Sequence, residues 1–294
     1  MSRRKKGKKT LSRPDGPFQG GLVCPLCLAS GVRPLRAGGG VFFRCRRCGI
    51  VFNSAYRPLS YDESYFLDDY RGQYGKTYAE DREAIRRLAD ARLVRIFSLY
   101  GGGAPRGSLS LLDLGSALGF FLESARDAGL GRVCGVELSR YASEWCRRES
   151  GLAVVNSAFE DAVFDETFDI VSAWYFLEHC ENPRETIQRI YALLNPGGIF
   201  AFSAPSVFGP QFVFDRGDWA ARHPVDHRVD FSPLTAVRVL KRMGFRTVRV
   251  RASGVHPERI VPRGSPLYPP FALLYRGIAP LVRFSDTIEI YARK

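Results

Sequence analysis

No stretch of this 294-residue chain approaches the roughly 18 uninterrupted apolar residues of a membrane-spanning helix. The basic N-terminus is not followed by the apolar run of a secretory leader, so the expected location is the cytoplasm. Internal repeats are lacking, and low complexity is confined to the extreme N-terminus. Histidine is scarce, with four residues in all, which leaves few candidates for proton transfer near neutral pH. No acid precedes Asp15, whereas Arg3, Arg4, Lys5, Lys6, Lys8, Lys9 and Arg13 all do.

The length allows one large domain or one domain plus a small appendage, and hydrophobic residues, at 45%, suffice for a core. Much of the net charge of +13 sits in that N-terminal run, which predicts a disordered basic tail over 1–18. Such a tail is either a solvated, self-repelling segment or a tether to nucleic acid or an anionic membrane.

Of seven cysteines, Cys134, Cys146 and Cys180 are scattered and read as small buried apolar residues. The other four form "CPLC" at 24–27 and "CRRC" at 45–48. Two C-x2-C turns aim Cys24, Cys27, Cys45 and Cys48 at one point, the donor set of a structural, tetrahedral Zn2+. A reducing compartment opposes disulfides. A redox CxxC would open a helix, not face a second turn. With "VFFRC" and "GIVFN" as short strands and Gly49 in the turn, a zinc ribbon is predicted over 19–56.

A lead-in at 57–107 carries helical spacing from residue 76 and ends in "GGGAPRGS". Strands then alternate with helices: strands at 109–114, 132–137, 153–156, 168–174 and 198–204, helices near 119–128, 139–149 and 183–194. Asn182-Pro183 reads as a helix start and Asn195-Pro196-Gly197-Gly198 as a stop. Another helix opens at Ser232-Pro233, and "FRTVRVRAS" and "DTIEIYARK" close the chain as strands. This rhythm implies an α/β fold over 108–294, a doubly wound, mostly parallel sheet whose ligand lies beyond the carboxyl ends of the strands. The segment 267–284, apolar and aromatic, could lie on a membrane, cap the pocket or pack as core. Core or cap is the expectation, because its polar face is thin for an interfacial helix.

The stretch "LLDLGSALGF" at 111–120 ends the first strand of that sheet in a bare loop. Gly115, Ala117 and Gly119 let a ligand approach the main chain. A dinucleotide fingerprint would need a third glycine at 120, which is Phe. The pattern suits a ligand without phosphates. Glu137, ending the second strand, can accept the hydroxyls of a ribose.

Together with "FDETFDIVSAWYFLEH" at 164–179 and "LLNPGGIFAFSAP" at 193–205, these residues resemble the class I S-adenosylmethionine-dependent methyltransferases over about residues 76–294. The front, "CPLC…CRRCGIVF" followed by "YDESYF", is similar to bacterial methyltransferases with an N-terminal zinc-binding segment, including sugar methyltransferases. The resemblance implies a Rossmann-like methyltransferase fold and S-adenosyl-L-methionine as cofactor. Gly115, Ala117 and Gly119 would line its methionine end, with Ala117 a departure from the usual glycine. Asp113 would order the loop or reach the methionine amino group. Glu137 would hold the ribose, and Glu160 or Asp161 would meet the adenine.

Methyl transfer from a sulfonium is an in-line displacement, in which positioning does most of the work. A base is needed only where the acceptor keeps its proton. "HPVDHRVDF" at 223–231 offers His227, with Asp226 to orient it, on a loop beyond the fifth strand. Tyr175 would face the substrate, Glu178 and His179 would be structural or cofactor-side, and His256 would cap or join the pocket. The leading expectation is methylation of a small molecule, glycan or lipid precursor. An RNA methyltransferase gripping the backbone with ribbon and tail, or a non-catalytic cofactor-binding scaffold, are the alternatives.

Overall fold

A computed structural model describes residues 21–59, 61–101 and 103–294. The expected basic tail lies outside the described residues. The chain opens with three short strands, β1 (Val32–Pro34), β2 (Phe42–Cys45) and β3 (Val51–Asn53). Their antiparallel pairing pivots on Gly49, whose φ of +86° lets the chain reverse after the second cysteine pair.

A turn of π-helix at Tyr65–Asp69 runs into α1 (Tyr70–Tyr74), and α2 (Arg82–Tyr100) completes the lead-in. The alternation follows as expected: β4 (Ser110–Leu114), α3 (Phe120–Asp127), β5 (Arg132–Glu137), α4 (Arg140–Glu149), β6 (Ala153–Asn156), β7 (Phe168–Trp174), α5 (Pro183–Leu193) and β8 (Leu194–Pro205). Pro183 begins α5 as predicted. Asn182, however, makes no side-chain cap; its carbonyl instead accepts Thr186 N–H at 3.1 Å.

Beyond β8 come α6 (Pro210–Phe214), α7 (Arg216–Arg222), β9 (Val229–Asp230), α8 (Pro233–Arg242), β10 (Thr247–Ser253), α9 (Tyr268–Val282) and β11 (Thr287–Arg293). The central sheet has the order β10-β11-β8-β7-β4-β5-β6, in which β11 alone runs against the others, antiparallel to both β8 and β10. Fully buried Leu111, Leu112, Val171, Phe200 and Phe202 explain the strands' near-continuous apolar runs, since helices cover both faces. This is the Rossmann-like methyltransferase fold.

β9 does not join that sheet. It adds a fourth strand to the ribbon, pairing Phe52 with Val229 and Val51 with Asp230. Cys24, Cys48, Ile50 and Phe52 share one apolar cluster with Ala236 and Phe231. The ribbon therefore packs on the very segment that carries the candidate histidines. Of the two expectations for 267–284, core or cap, the structure contradicts core. The segment is helix α9, and its inner face, Ala272, Tyr275 and Ala279, is buried while Leu273, Leu274 and Leu281 stand in solvent.

Candidate active site

The loop after β4 is shaped by the main chain. Gly115 and Ser116 N–H groups both donate to Val136 carbonyl oxygen, at 2.8 and 3.2 Å. Gly115, Ala117 and Gly119 all have positive φ, +67°, +49° and +81°. The two glycines are required twice over. A Cβ on Gly115 would lie 2.9 Å from the Phe176 ring, and one on Gly119 would lie 2.7 Å from Leu152. Their bareness thus serves protein packing as well as ligand approach. Gly135, which sequence reasoning passed over, is as constrained: a Cβ there would meet Ser116 Oγ at 2.0 Å.

Glu137 is 7% exposed and ties the loop to β5. Its Oε2 accepts Ala117 N–H at 2.8 Å and its Oε1 accepts Ser139 N–H at 2.7 Å. Burial raises its pKa, opposed by these amides. Each oxygen keeps a second lone pair for a ligand hydroxyl.

Asp113 is turned elsewhere. Ser172 Oγ donates to its carboxylate at 2.6 Å, and burial pushes the group up to about 7. It orders the loop through its carbonyl, which accepts Ser116 Oγ–H at 3.0 Å. Glu160 and Asp161 are both exposed, with no side-chain hydrogen bond among the described residues. The segment nearest Glu137 is instead Asn156–Ser157, since Ser157 N–H and Asn156 Nδ2 donate to Glu137 carbonyl oxygen.

An aromatic cover lies over this cradle. Phe66, Leu118 and Phe120 are buried together against Tyr65, Tyr78, Ala117 and Tyr141. On the other side, Arg92 guanidinium stacks 4.0 Å over Trp174 and pairs with Glu289 at 2.9 Å. Arg92 Nη2 and Trp174 Nε1 are buried donors without a partner among the described residues. Arg92 is near enough to Asp113 to lower its pKa. Orphaned donors beside the loop are what a ligand carboxylate would satisfy. A polar cradle at Glu137, an apolar cover and unpaired donors therefore fit an amino-acid nucleoside such as S-adenosylmethionine. Tyr175, just past β7 with φ of +54° and 44% exposed, stands at the same edge.

The histidines form a second cluster at the carboxyl ends of the strands. The structure does not join Asp226 to His227. Asp226 Oδ2 lies 2.9 Å from His179 Nδ1, and Tyr61 hydroxyl donates to the same carboxylate. Burial opposes charge on His179, but Asp226 carries its pKa above the ordinary value, and Asp226 itself falls well below the carboxylate range. His223 Nδ1 lies 2.9 Å from the Pro224 carbonyl oxygen, and its Nε2 lies 2.9 Å from Asp230 Oδ2. His227 stacks edge-on between the two, 4.7 Å from His179 and 5.5 Å from His223. Burial, with positive neighbours, lowers its pKa to about 4. Glu178 is buried with Oε2 unpartnered and is raised to about 7 by burial. His256 pairs with Glu258 at 3.3 Å.

The missed members, Tyr61 and Tyr65, link the two clusters. Tyr61, which donates to Asp226, packs edge-on against Tyr65 at 4.9 Å, and Tyr65 packs on Phe66 of the cover at 5.1 Å; burial lifts the Tyr65 hydroxyl to about 12. "YDESYF" was the available signal, since tyrosines in a polar lead-in carry both an apolar body and a polar handle.

In the ribbon, the sulfurs of Cys24, Cys27, Cys45 and Cys48 lie within 4.8 Å of one another. All four are free thiols, with Cys24–Cys48 at 3.6 Å and Cys27–Cys45 at 3.5 Å. That donor set is compatible with a small zinc site.

Fold and cradle together define an S-adenosylmethionine-dependent methyltransferase of class I. A methyltransferase-domain family model matches residues 78–250, more than half of the chain, and the chain belongs to that family. It is 27% identical over 134 residues to a malonyl-(acyl-carrier protein) O-methyltransferase of Enterobacter lignolyticus, covering 45% of this chain and 50% of that one. It is 32% identical over 104 residues to a ubiquinone biosynthesis O-methyltransferase of Actinobacillus pleuropneumoniae, covering 32% and 44%. The chain thus spans about half the length of the curated relatives it matches. A SAM-dependent methyltransferase crystal structure from Archaeoglobus fulgidus superposes with a TM-score of 0.52 at 20% identity, covering 79% of this chain and all of that one, a likeness of fold. Among the described residues no helix is long and apolar enough to cross a membrane.

Proposed function

We propose that the protein transfers a methyl group from S-adenosylmethionine to an oxygen of a small molecule, glycan or lipid precursor. The observation that carries this is the bond from Ala117 N–H to Glu137 Oε2, which makes loop and acid one cradle. The oxygen acceptor is supported by relatives that are O-methyltransferases by name.

The cofactor, when bound, supplies a methyl group already activated by a positive sulfur. Glu137 accepts its ribose hydroxyls, and Arg92 Nη2 meets its carboxylate. Ala117 and the glycines line the methionine end. Ser157 takes the adenine-side place expected of Glu160 or Asp161. The aromatic cover of Tyr65, Phe66 and Tyr78 excludes water, which would otherwise compete as a nucleophile. Tyr175 orients the acceptor.

His227 would take the proton of the acceptor's hydroxyl. Its depressed pKa of about 4 keeps it neutral at pH 7, and its ring makes no hydrogen bond within the described residues. His179 is the second reading, because Asp226 on Nδ1 leaves Nε2 as the basic nitrogen, the geometry of a base with its orienter. The four cysteines hold a structural zinc, and 19–56, 57–107 and 108–294 act as ribbon, lead-in and catalytic domain.

The test is calorimetric titration with S-adenosylhomocysteine, followed by incubation with labelled cofactor and fractionated cell extract. Binding with label passing to a small-molecule fraction is expected. Binding of a nicotinamide dinucleotide instead, or label on RNA alone, overturns the reading.

A further inference from the structure

Helix α9 is apolar on both sides. Its inner ridge packs on the domain through Ala272, Tyr275 and Ala279, yet its outer ridge carries Leu267, Leu274, Ile278 and Leu281, spaced i, i+7, i+11 and i+14 on one face. Leu273 is 78% exposed and Leu281 81%. The patch extends through Phe284, whose ring meets Phe208 at 5.4 Å and the exposed Phe214 at 6.0 Å. Phe208 and Phe214 follow directly on β8, so the patch borders the edge of the sheet where the candidate site lies.

Solvent-facing apolar surface of this kind is costly unless something covers it. At 15 residues and about 1.5 Å each, α9 is too short to span a bilayer. The charge of the segment selects the occupant. From 259 to 285 there is no acid, while Arg259, Arg263, Arg276 and Arg283 are present. Arg259 pairs with Asp286 and Arg263 approaches Glu258, but no ion pair is found for the exposed Arg276 and Arg283 among the described residues. A two-fold contact between copies would set this cationic rim against itself. An anionic surface would neutralise it.

We propose that the outer face of α9, flanked by Arg276 and Arg283, seats the protein in the headgroup region of an anionic lipid bilayer. A thin polar face is no obstacle, because the inner side of the helix rests on protein rather than on water. The seven cations ahead of Asp15 supply a second, electrostatic signal, as stable attachment usually requires two. This inference stands apart from the methyl-transfer reading, since lipid attachment is measured without cofactor or acceptor.

The experiment is flotation of the full chain with phosphatidylglycerol–phosphatidylcholine vesicles and with phosphatidylcholine vesicles alone. Retention on the anionic vesicles, weakened by salt, is expected. Leu273→Glu with Leu281→Glu should lower the partition coefficient at least about tenfold. Arg276→Gln and Arg283→Gln should each lower it about fivefold. Both changes should leave thermal unfolding unmoved, because these side chains are exposed. Wild-type protein that stays with the solvent overturns the proposal. So does a Leu273→Glu/Leu281→Glu variant that binds normally while deletion of residues 1–14 abolishes binding. A wild-type dimer that the same double substitution turns into monomer would assign the face to a second copy instead.

Discussion

Asp226 holds His179, with Oδ2 2.9 Å from Nδ1, and its chain neighbour His227 has no ion pair among the described residues. Backbone pairing of β9 with the ribbon anchors this loop, while Tyr61 of the lead-in donates to Asp226 from the other side. Three segments distant in sequence thus set one histidine's charge.

The pair makes stability depend on pH. His179 is raised, so its contribution is complete below about 6.5 and is lost as pH climbs through the higher folded value. Asp226 is depressed, so its contribution is complete above about 3.9 and is lost as pH falls through the lower folded value. Asp226→Asn should therefore cost about 2 kcal/mol on the plateau between these values and progressively less on either side. Urea unfolding from pH 3 to 9 checks this, and equal losses at every pH would contradict it.

The two candidate bases differ in where activity should fall. If His227 takes the proton, kcat/KM should stay level from neutral pH down toward about 4. If His179 does, the acid limb should lie above 6.5 and move down in Asp226→Asn. Removing the true base, by His227→Ala or His179→Ala, should lower kcat by about 10²- to 10⁴-fold.

Glu137→Ala should weaken cofactor binding by roughly 10- to 100-fold, the loss of bonds between a carboxylate and hydroxyls. Calorimetry with S-adenosylhomocysteine reads this directly, and unchanged affinity would remove the ribose assignment.

Ala117 sits at φ of +49° in a region that alanine adopts only with strain. Ala117→Gly should raise stability by about 1 kcal/mol without loss of cofactor affinity, as measured by thermal unfolding and calorimetry.

Chelation, or Cys45→Ser, should release about one zinc per chain and lower the melting temperature. Because β9 pairs with β3, NMR signals of His223 and His227 should shift as well. Native stability in metal-free protein would end the zinc assignment.

The strands and helices from 109 to 205 were legible because buried parallel strands and amphipathic helices leave local periodic patterns, punctuated by Gly197 and Pro183. The glycine loop and Glu137 were legible because their spacing follows from one strand-turn-helix unit. Contacts across long sequence separations leave no such pattern. Nothing near Asp226 says that a tyrosine 165 positions earlier donates to it, or that its histidine partner lies on the turn beyond β7.

The sequence by itself determined the class of fold and set the glycine loop, Glu137 and the two cysteine pairs at the ends of neighbouring elements, since each is written in nearby residues whose geometry the backbone dictates. Only the tertiary structure decided that Asp113 faces Ser172, that β9 belongs to the ribbon and that α9 bares its leucines. Those outcomes depend on which surfaces meet, and packing is settled by the whole chain at once.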